Sequence, residues 1–266
     1  MNLSFFESIG RGTLSIVRDF TRIFALLFET IYWIIAGPFK KKPISHKNFF
    51  AQTVFAGLDS MMIVFFVNLF IGMVLAMQSA YQLEQLGATI YVAALVGVSV
   101  TREIGPVLTS LVIAGRVGAA ITAELATMKV TEQMEALETL SLNPVRYLVA
   151  PRFLALLFML PCLVVLGNIV GMFGGFIIGT TQLHLTPGLY FDTTIQFLTL
   201  KDINTGLFKS AVFSMIISMV ACYKGISTEG GAEGVGRSTT QSVVTSFVFI
   251  ILADAILTLI FYFSKT

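Results

Sequence analysis

The sequence predicts an all-α integral membrane protein, and three observations carry that expectation. Of 266 residues, 56% are hydrophobic and only 12% charged, with a mean hydropathy of +0.86; soluble domains average about 25% charged residues. Five apolar stretches are long enough to cross a hydrocarbon layer of roughly 30 Å as helices. Residues 3–36 repeat apolar side chains at helical spacing. The net charge of +2 supplies no bulk field for nucleic acid.

Two regions are expected, 1–48 and 49–266. In the first, Ile16, Phe20, Ile23, Phe24, Leu27, Ile31 and Ile34 share one face, and Arg11, Arg18, Arg22 and Glu29 lie opposite. That pattern is an amphipathic helix lying in the membrane interface. A sixth membrane span is the competing reading, because residues 31–36 are themselves apolar. Gly37-Pro38 is expected to end the helix, and Lys40-Lys41-Lys42 follows as a basic cluster suited to anionic headgroups. Charges spread along the pattern argue against a cleavable signal peptide.

The five spans are expected at about 60–83, 86–115, 153–181, 203–223 and 239–264. Basic residues set their orientation. Arg11, Arg18, Arg22, Lys40, Lys41, Lys42 and Lys47 precede span one; Arg116, Lys129, Arg146 and Arg152 follow span two; Lys224 and Arg237 follow span four. The other side holds only Lys201 and Lys265. The positive-inside rule therefore places the N-terminus in the cytoplasm and the C-terminus outside. In span three, Gly167, Gly171, Gly175 and Gly179 recur every four residues and line one face. Such a face admits another backbone, either a helix of the same chain or one of a second subunit.

Four charges fall inside the spans: Arg102, Glu103, Lys209 and Asp254. Each costs at least about 2.5–3.5 kcal/mol at the bilayer centre. They sum to zero, so an inward-facing paired cluster is expected. Arg102 and Glu103 diverge by about 100° on a helix. Partners on other spans are more natural: Arg102 with Asp254, or Glu103 with Lys209. The cluster is either a pin for helix register or part of a polar cavity or relay. Pro106 should kink span two. Asp59, Glu84, Asp192 and Asp202 read as interfacial charges, and Cys162 and Cys222 as small packing residues. His46 and His184 lie far apart, and no metal-ligand, nucleophile or P-loop pattern appears. The chain is not expected to be an enzyme or to hold a cofactor.

Residues 131–142, TEQMEALETLSL, form a short amphipathic helix between spans two and three. Thr131 is expected to cap it, with Glu132 in the first turn and Asn143-Pro144 as the stop. Glu132, Glu135 and Glu138 make an acidic side; Met134, Leu137 and Leu140 or Leu142 make the other. An acidic face suits an anionic leaflet poorly. A cytoplasmic protein groove fits better, with Met134 as an adaptable contact.

The segment AGRVGAAITAELATMKVTEQMEALETLSLNPVRYLVAPR (114–152) closely resembles the signature of the MlaE (YrbE-like) family. TREIGPVLTSLVIAGR (101–116) and GAEGVGRSTTQSVV (231–244) match as well, and the likeness covers roughly 50–264. Members are permease subunits of ABC transporters that move bacterial phospholipids. The resemblance implies an interfacial helix, five spans and a homodimer in the bacterial inner membrane, with a periplasmic C-terminus. It implies two cytoplasmic ATPase subunits that bind ATP and Mg, and a hexameric MCE-domain protein on the outer side. The short helix then becomes a coupling helix carrying Glu132, Gln133, Glu135 and Leu137. The lipid site would lie at the dimer centre, with Leu69, Met73, Met77 and Tyr81 of span one contributing. An apolar cavity with few polar contacts suits a phospholipid. Two other classes stay open. An ion-coupled secondary transporter would use the four intramembrane charges and would usually show repeats in matching halves. A non-transporting scaffold would tolerate their loss.

Overall fold

The structure is a computed structural model that describes residues 3–39 and 46–263, with side chains described at 18, 20–37 and 47–263. Lys40, Lys41, Lys42 and Lys265 lie outside the described residues. All regular elements among the described residues are helical.

Helix α1 (Leu3–Phe39) does not stop at Gly37-Pro38 but runs through both. In the last turn, proline removes only one intrahelical bond, so the expected break is not enforced. Helix α2 (His46–Ala56) and a 3₁₀ turn (Leu58–Ser60) precede α3 (Met61–Glu84), which occupies span one. α2 packs on α8 (Ala150–Thr181) and was absent from the expected elements.

Span two is longer than expected and irregular. It runs as α4 (Tyr91–Ser99), a π segment (Val100–Ile104), α5 (Gly105–Ile113), a second π segment (Ala114–Gly118) and α6 (Ala119–Val130). Arg116, expected in a loop, lies inside this run. Its guanidinium donates to the Phe55 carbonyl at 3.1 Å and to the Ser60 hydroxyl, and sits 5.4 Å from the Phe55 ring. Satisfied this way, the charge does not terminate the helix.

The short helix α7 (Gln133–Thr139) follows, then a π segment (Val145–Val149) leading into α8. Helix α9 (Pro187–Phe197) forms in the connection between spans three and four, where no element is expected from the sequence. α10 (Leu200–Ile226) and α11 (Gly231–Phe263) complete the fold. Among the described residues, six helical runs are long and apolar enough to cross a membrane, against five expected. The additional one is Phe20–Gly37 of α1, with a mean hydropathy of 1.4.

The glycine face of α8 is consumed within the chain. A Cβ on Gly72 of α3 would lie 1.9 Å from the Gly171 carbonyl oxygen, and one on Gly174 would lie 2.3 Å from that of Leu69. Helices α3 and α8 therefore cross with backbones touching, which only glycine allows. Gly167 meets Asn68 and Thr109, Gly175 meets Val96, and Gly179 meets the ring of Tyr190 from α9. Of the two uses open to this stripe, internal packing is the one observed. Cys222 is buried and Cys162 is exposed, so only the former packs inside.

The main core gathers Ile113, Ile121, Leu125, Leu156, Leu160, Phe213 and Ile217 from α5, α6, α8 and α10. The apolar faces of α3 and α11 point outward, with Phe66, Phe70, Val248, Ile251 and Ile260 exposed.

Candidate functional site

Lys209 sits at the centre of the intramembrane charges and is completely buried. Its ammonium donates to the Glu103 carboxylate, to Asp254 Oδ1 at 2.8 Å and to Thr258 Oγ1 at 2.7 Å. Three donors meet three acceptors, which is the full capacity of a lysine. Asp254 and Thr258 are four residues apart on α11 and so reach the same point from one helix face. The Thr258 hydroxyl also donates toward Glu103 Oε1 at 3.3 Å. The structure thus joins Glu103 to Lys209, one of the two pairs considered.

The other pair, Arg102 with Asp254, does not form. Arg102 instead faces Asp202, 3.8 Å away. Adjacent residues on a helix diverge, so Glu103 enters the α10–α11 seam while Arg102 turns to the start of α10. Asp202 is no idle interfacial charge. With Thr199 it forms a capping box: Thr199 Oγ1 accepts from the Asp202 amide at 3.3 Å, and Asp202 Oδ2 accepts from the Thr199 amide at 3.1 Å. The Thr-x-x-Asp spacing is the sequence signal of that box.

One ammonium between two carboxylates leaves a formal charge of −1. The Lys209 side chain is 0% exposed, yet those of Glu103 and Asp254 are 34% and 23% exposed. The cluster therefore opens on its carboxylate side. Glu103 rides on the π segment Val100–Ile104, just before Pro106, which has no amide hydrogen to donate. The irregularity expected from Pro106 takes the form of this widened turn. Gly105 packs directly under Asn168, where a Cβ would lie 1.9 Å from Asn168 Oδ1.

The second constellation is α7. Thr131 does not cap it: its hydroxyl bonds back to the Thr127 carbonyl at 2.8 Å, at the end of α6. Glu132 occupies the cap position instead, with φ +58°, and its side chain makes no capping bond. The chain must reverse sharply out of α6, and a left-handed residue achieves that. Ser141, also at φ +58°, closes the far end. Asn143 does not stop α7; its side-chain oxygen accepts from the Arg146 amide at 3.0 Å and starts the next helical segment.

Met134 is 4% exposed and Leu137 is half-buried, both against the main core. Met134 is thus an internal anchor rather than an outward contact. Glu132, Gln133, Glu135 and Glu138 remain exposed. Lys129 pairs with Glu135, and this hydrogen bond holds the Glu135 carboxyl below its usual range. Behind α7, Asn143 Nδ2 reaches Glu29 Oε1 of α1 at 3.4 Å, and the Arg146 guanidinium lies 5.7 Å from the Trp33 ring. Arg152, expected as a loop cation, is 4% exposed; it donates to Glu124 at 2.7 Å and to the Leu148 carbonyl at 2.7 Å.

The span-one face divides in two. Leu69 and Met73 are half-buried where their backbones meet Gly174, whereas Met77 and Tyr81 are 48% and 69% exposed.

The family described as Permease MlaE matches residues 49–260. A probable ABC transporter permease protein of Rickettsia typhi is 41% identical over 97% of this chain and 98% of its own length. One from Synechocystis is 43% identical over 79% of this chain and 80% of its own. The chloroplastic protein TRIGALACTOSYLDIACYLGLYCEROL 1 of Arabidopsis thaliana is 35% identical over 84% of this chain and 63% of its own.

Proposed function

The chain belongs to the MlaE permease family, and from that premise we propose that this multi-pass membrane permease is the membrane subunit of an ABC-type phospholipid transporter. The observation that carries the reading is the build of α7. Met134 and Leu137 fix it into the transmembrane core, while Glu132, Gln133, Glu135 and Glu138 face outward. A helix rooted inside and polar outside passes force from a cytoplasmic partner to the spans. α7 is the coupling helix, and the partner is an ATPase that binds ATP and Mg, one copy per permease.

Two permease copies pair in the bacterial inner membrane, N-terminus cytoplasmic and C-terminus periplasmic. A hexameric MCE-domain protein receives or delivers lipid on the outer side, maintaining outer-membrane lipid supply or asymmetry. A carboxylate cannot face hydrocarbon without cost. The open side of the Glu103–Lys209–Asp254 cluster therefore belongs to a polar cavity, with Met77 and Tyr81 on the lipid-facing wall.

The test is gentle purification from native membranes with mass spectrometry of what accompanies the protein. We expect an ATPase, an MCE-domain protein and phospholipid. A lone permease, under conditions that preserve other ABC complexes, would overturn the coupling assignment and favour the ion-coupled alternative.

A further inference from the structure

Helix α7 is fastened differently at its two ends. Its start adjoins α6, and α6 is locked to α10 and α11. Gly225 of α10 seats against α6, where a Cβ would lie 2.7 Å from Leu125 Cβ and 3.1 Å from the Thr122 carbonyl oxygen. The Thr122 hydroxyl lies 2.8 Å from the Ser242 hydroxyl of α11 and 3.2 Å from the Ala221 carbonyl oxygen of α10. Close backbone approach and hydrogen bonds join these three helices into one body.

The far end of α7 leads to α1. Ser141 stands at the left-handed position after the helix, its amide donating to the Glu138 carbonyl at 2.9 Å, and the Leu142 amide donates to the Leu137 carbonyl at 3.0 Å. That pair of bonds is a Schellman close, and it fixes Asn143 to the helix end. Asn143 then uses both ends of its side-chain amide: Oδ1 accepts from the Arg146 amide at 3.0 Å, and Nδ2 donates to Glu29 Oε1 at 3.4 Å. One turn further along α1, the Trp33 ring carries the Arg146 guanidinium. Glu29 and Trp33, four residues apart, thus clasp the segment after α7 from one face of α1. Towards α10 and α11, α1 offers apolar side chains instead: Ile23 and Leu26 enter the main core, and Phe20 meets Phe249 edge to face at 5.9 Å. Hydrogen bonds hold an orientation. Apolar contact is non-directional, and it lets packed helices slide.

We propose that α1 is a transmission arm, with Glu29 and Trp33 as its positioning residues. It moves with the segment that leaves α7 and shears across α10 and α11. When a partner tilts α7, the start of the helix pulls the α6–α10–α11 body and its end pulls α1. The two then shift against each other along the helices that supply Lys209 and Asp254. The inference rests on the coupling role of α7 and adds the path that its motion takes.

The experiment uses the permease–ATPase complex purified from native membranes and reconstituted in vesicles of phosphatidylethanolamine and phosphatidylglycerol. Fluorescent phosphatidylethanolamine is the tracer, and the readout is tracer moved per ATP hydrolysed. Cys162 is exposed, so the background is Cys162→Ser. A short reducible bismethanethiosulfonate joins either Trp33→Cys to Arg146→Cys or Phe20→Cys to Phe249→Cys. We expect the first cross-link to leave tracer per ATP at the wild-type value, because it replaces a tie already present. The second should lower the ratio several-fold, and reductant should restore it, which separates locking from misfolding. Without cross-links, Glu29→Ala combined with Trp33→Ala should lower the ratio several-fold while hydrolysis continues. Glu29→Gln, which keeps an acceptor for Asn143, should not. An unchanged ratio in the Phe20–Phe249 cross-link or in the double alanine variant would overturn the arm and leave the coupling role of α7 standing. So would a ratio lost on joining positions 33 and 146. A wild-type complex without an ATPase hydrolyses no ATP and would overturn both.

Discussion

At the scale of single residues, Lys209 makes the sharpest statement. It has no exposure and three acceptors, so Lys209→Met leaves two partly exposed carboxylates facing each other without their cation. We expect a loss of about 1–3 kcal/mol, below that of a fully buried pair because solvent reaches both carboxylates, read as a lower melting temperature in detergent. The triple variant Glu103→Gln, Lys209→Met, Asp254→Asn removes all three charges and should recover much of that stability. Lipid flux in the triple variant then separates the two roles: recovered flux marks a structural pin, and lost flux marks a working cluster. Gly72 offers a second residue-scale test. Its Cβ would meet backbone at 1.9 Å, whereas one on Gly171 would meet a Val100 methyl at 3.0 Å. Gly72→Ala should therefore destabilise by about 1–3 kcal/mol or more, as overpacking does, and Gly171→Ala should cost less; equal melting temperatures would refute the ordering.

At the scale of elements, α7 has two faces with separable consequences. Glu135→Lys removes the tie to Lys129 and reverses the charge presented outward, leaving Met134 in place. We expect reduced co-purification of the ATPase with an unchanged melting temperature; full recovery of the ATPase would remove α7 from the coupling role. Met134→Asp should behave oppositely and lower the melting temperature, because it buries a carboxylate with no partner. The pH dependence of the tie follows in sign. The folded Glu135 carboxyl is lowered by its hydrogen bond from Lys129. Its contribution is complete above the unfolded carboxylate value and is lost as pH falls through the lowered folded one. Partner retention should accordingly be flat near neutrality and weaken only in acid, which pull-downs across a pH series would measure.

At the scale of the whole molecule, the decisive quantity is the parity of crossings. Six runs qualify as spans by length and composition, and α1 is the one whose role differs between the readings. If α1 lies in the interface, five crossings put the termini on opposite sides; if it crosses, they share a side. Reporters fused at each end should place the N-terminus in the cytoplasm and the C-terminus in the periplasm. A cytoplasmic C-terminal reporter would make α1 a span. The outward apolar faces of α3 and α11 are where a second copy would sit. Cysteines introduced at Ile251 or Ile260 of α11 should cross-link between copies in the native membrane, and absence of cross-links along both α3 and α11 would argue against the dimer.

What the sequence determined by itself was whatever depends on local composition and spacing. Apolar run length placed the cores of the five spans, because a helix is the only open structure that satisfies its backbone in hydrocarbon. Isolated charges in those runs identified Arg102, Glu103, Lys209 and Asp254, because the bilayer makes unpaired charges costly. The tertiary structure decided matters of direction and partnership. It gave Asp254 to Lys209 and Arg102 to Asp202, a choice that turns on which way two neighbouring side chains point from a π segment. It turned the glycine stripe of α8 inward onto α3 and α9, and it buried Met134 while exposing Glu135. It also carried span two past Arg116 into α6, since a guanidinium satisfied by Phe55 and Ser60 no longer marks a helix end. Periodicity names the faces of a helix; only packing says what each face meets.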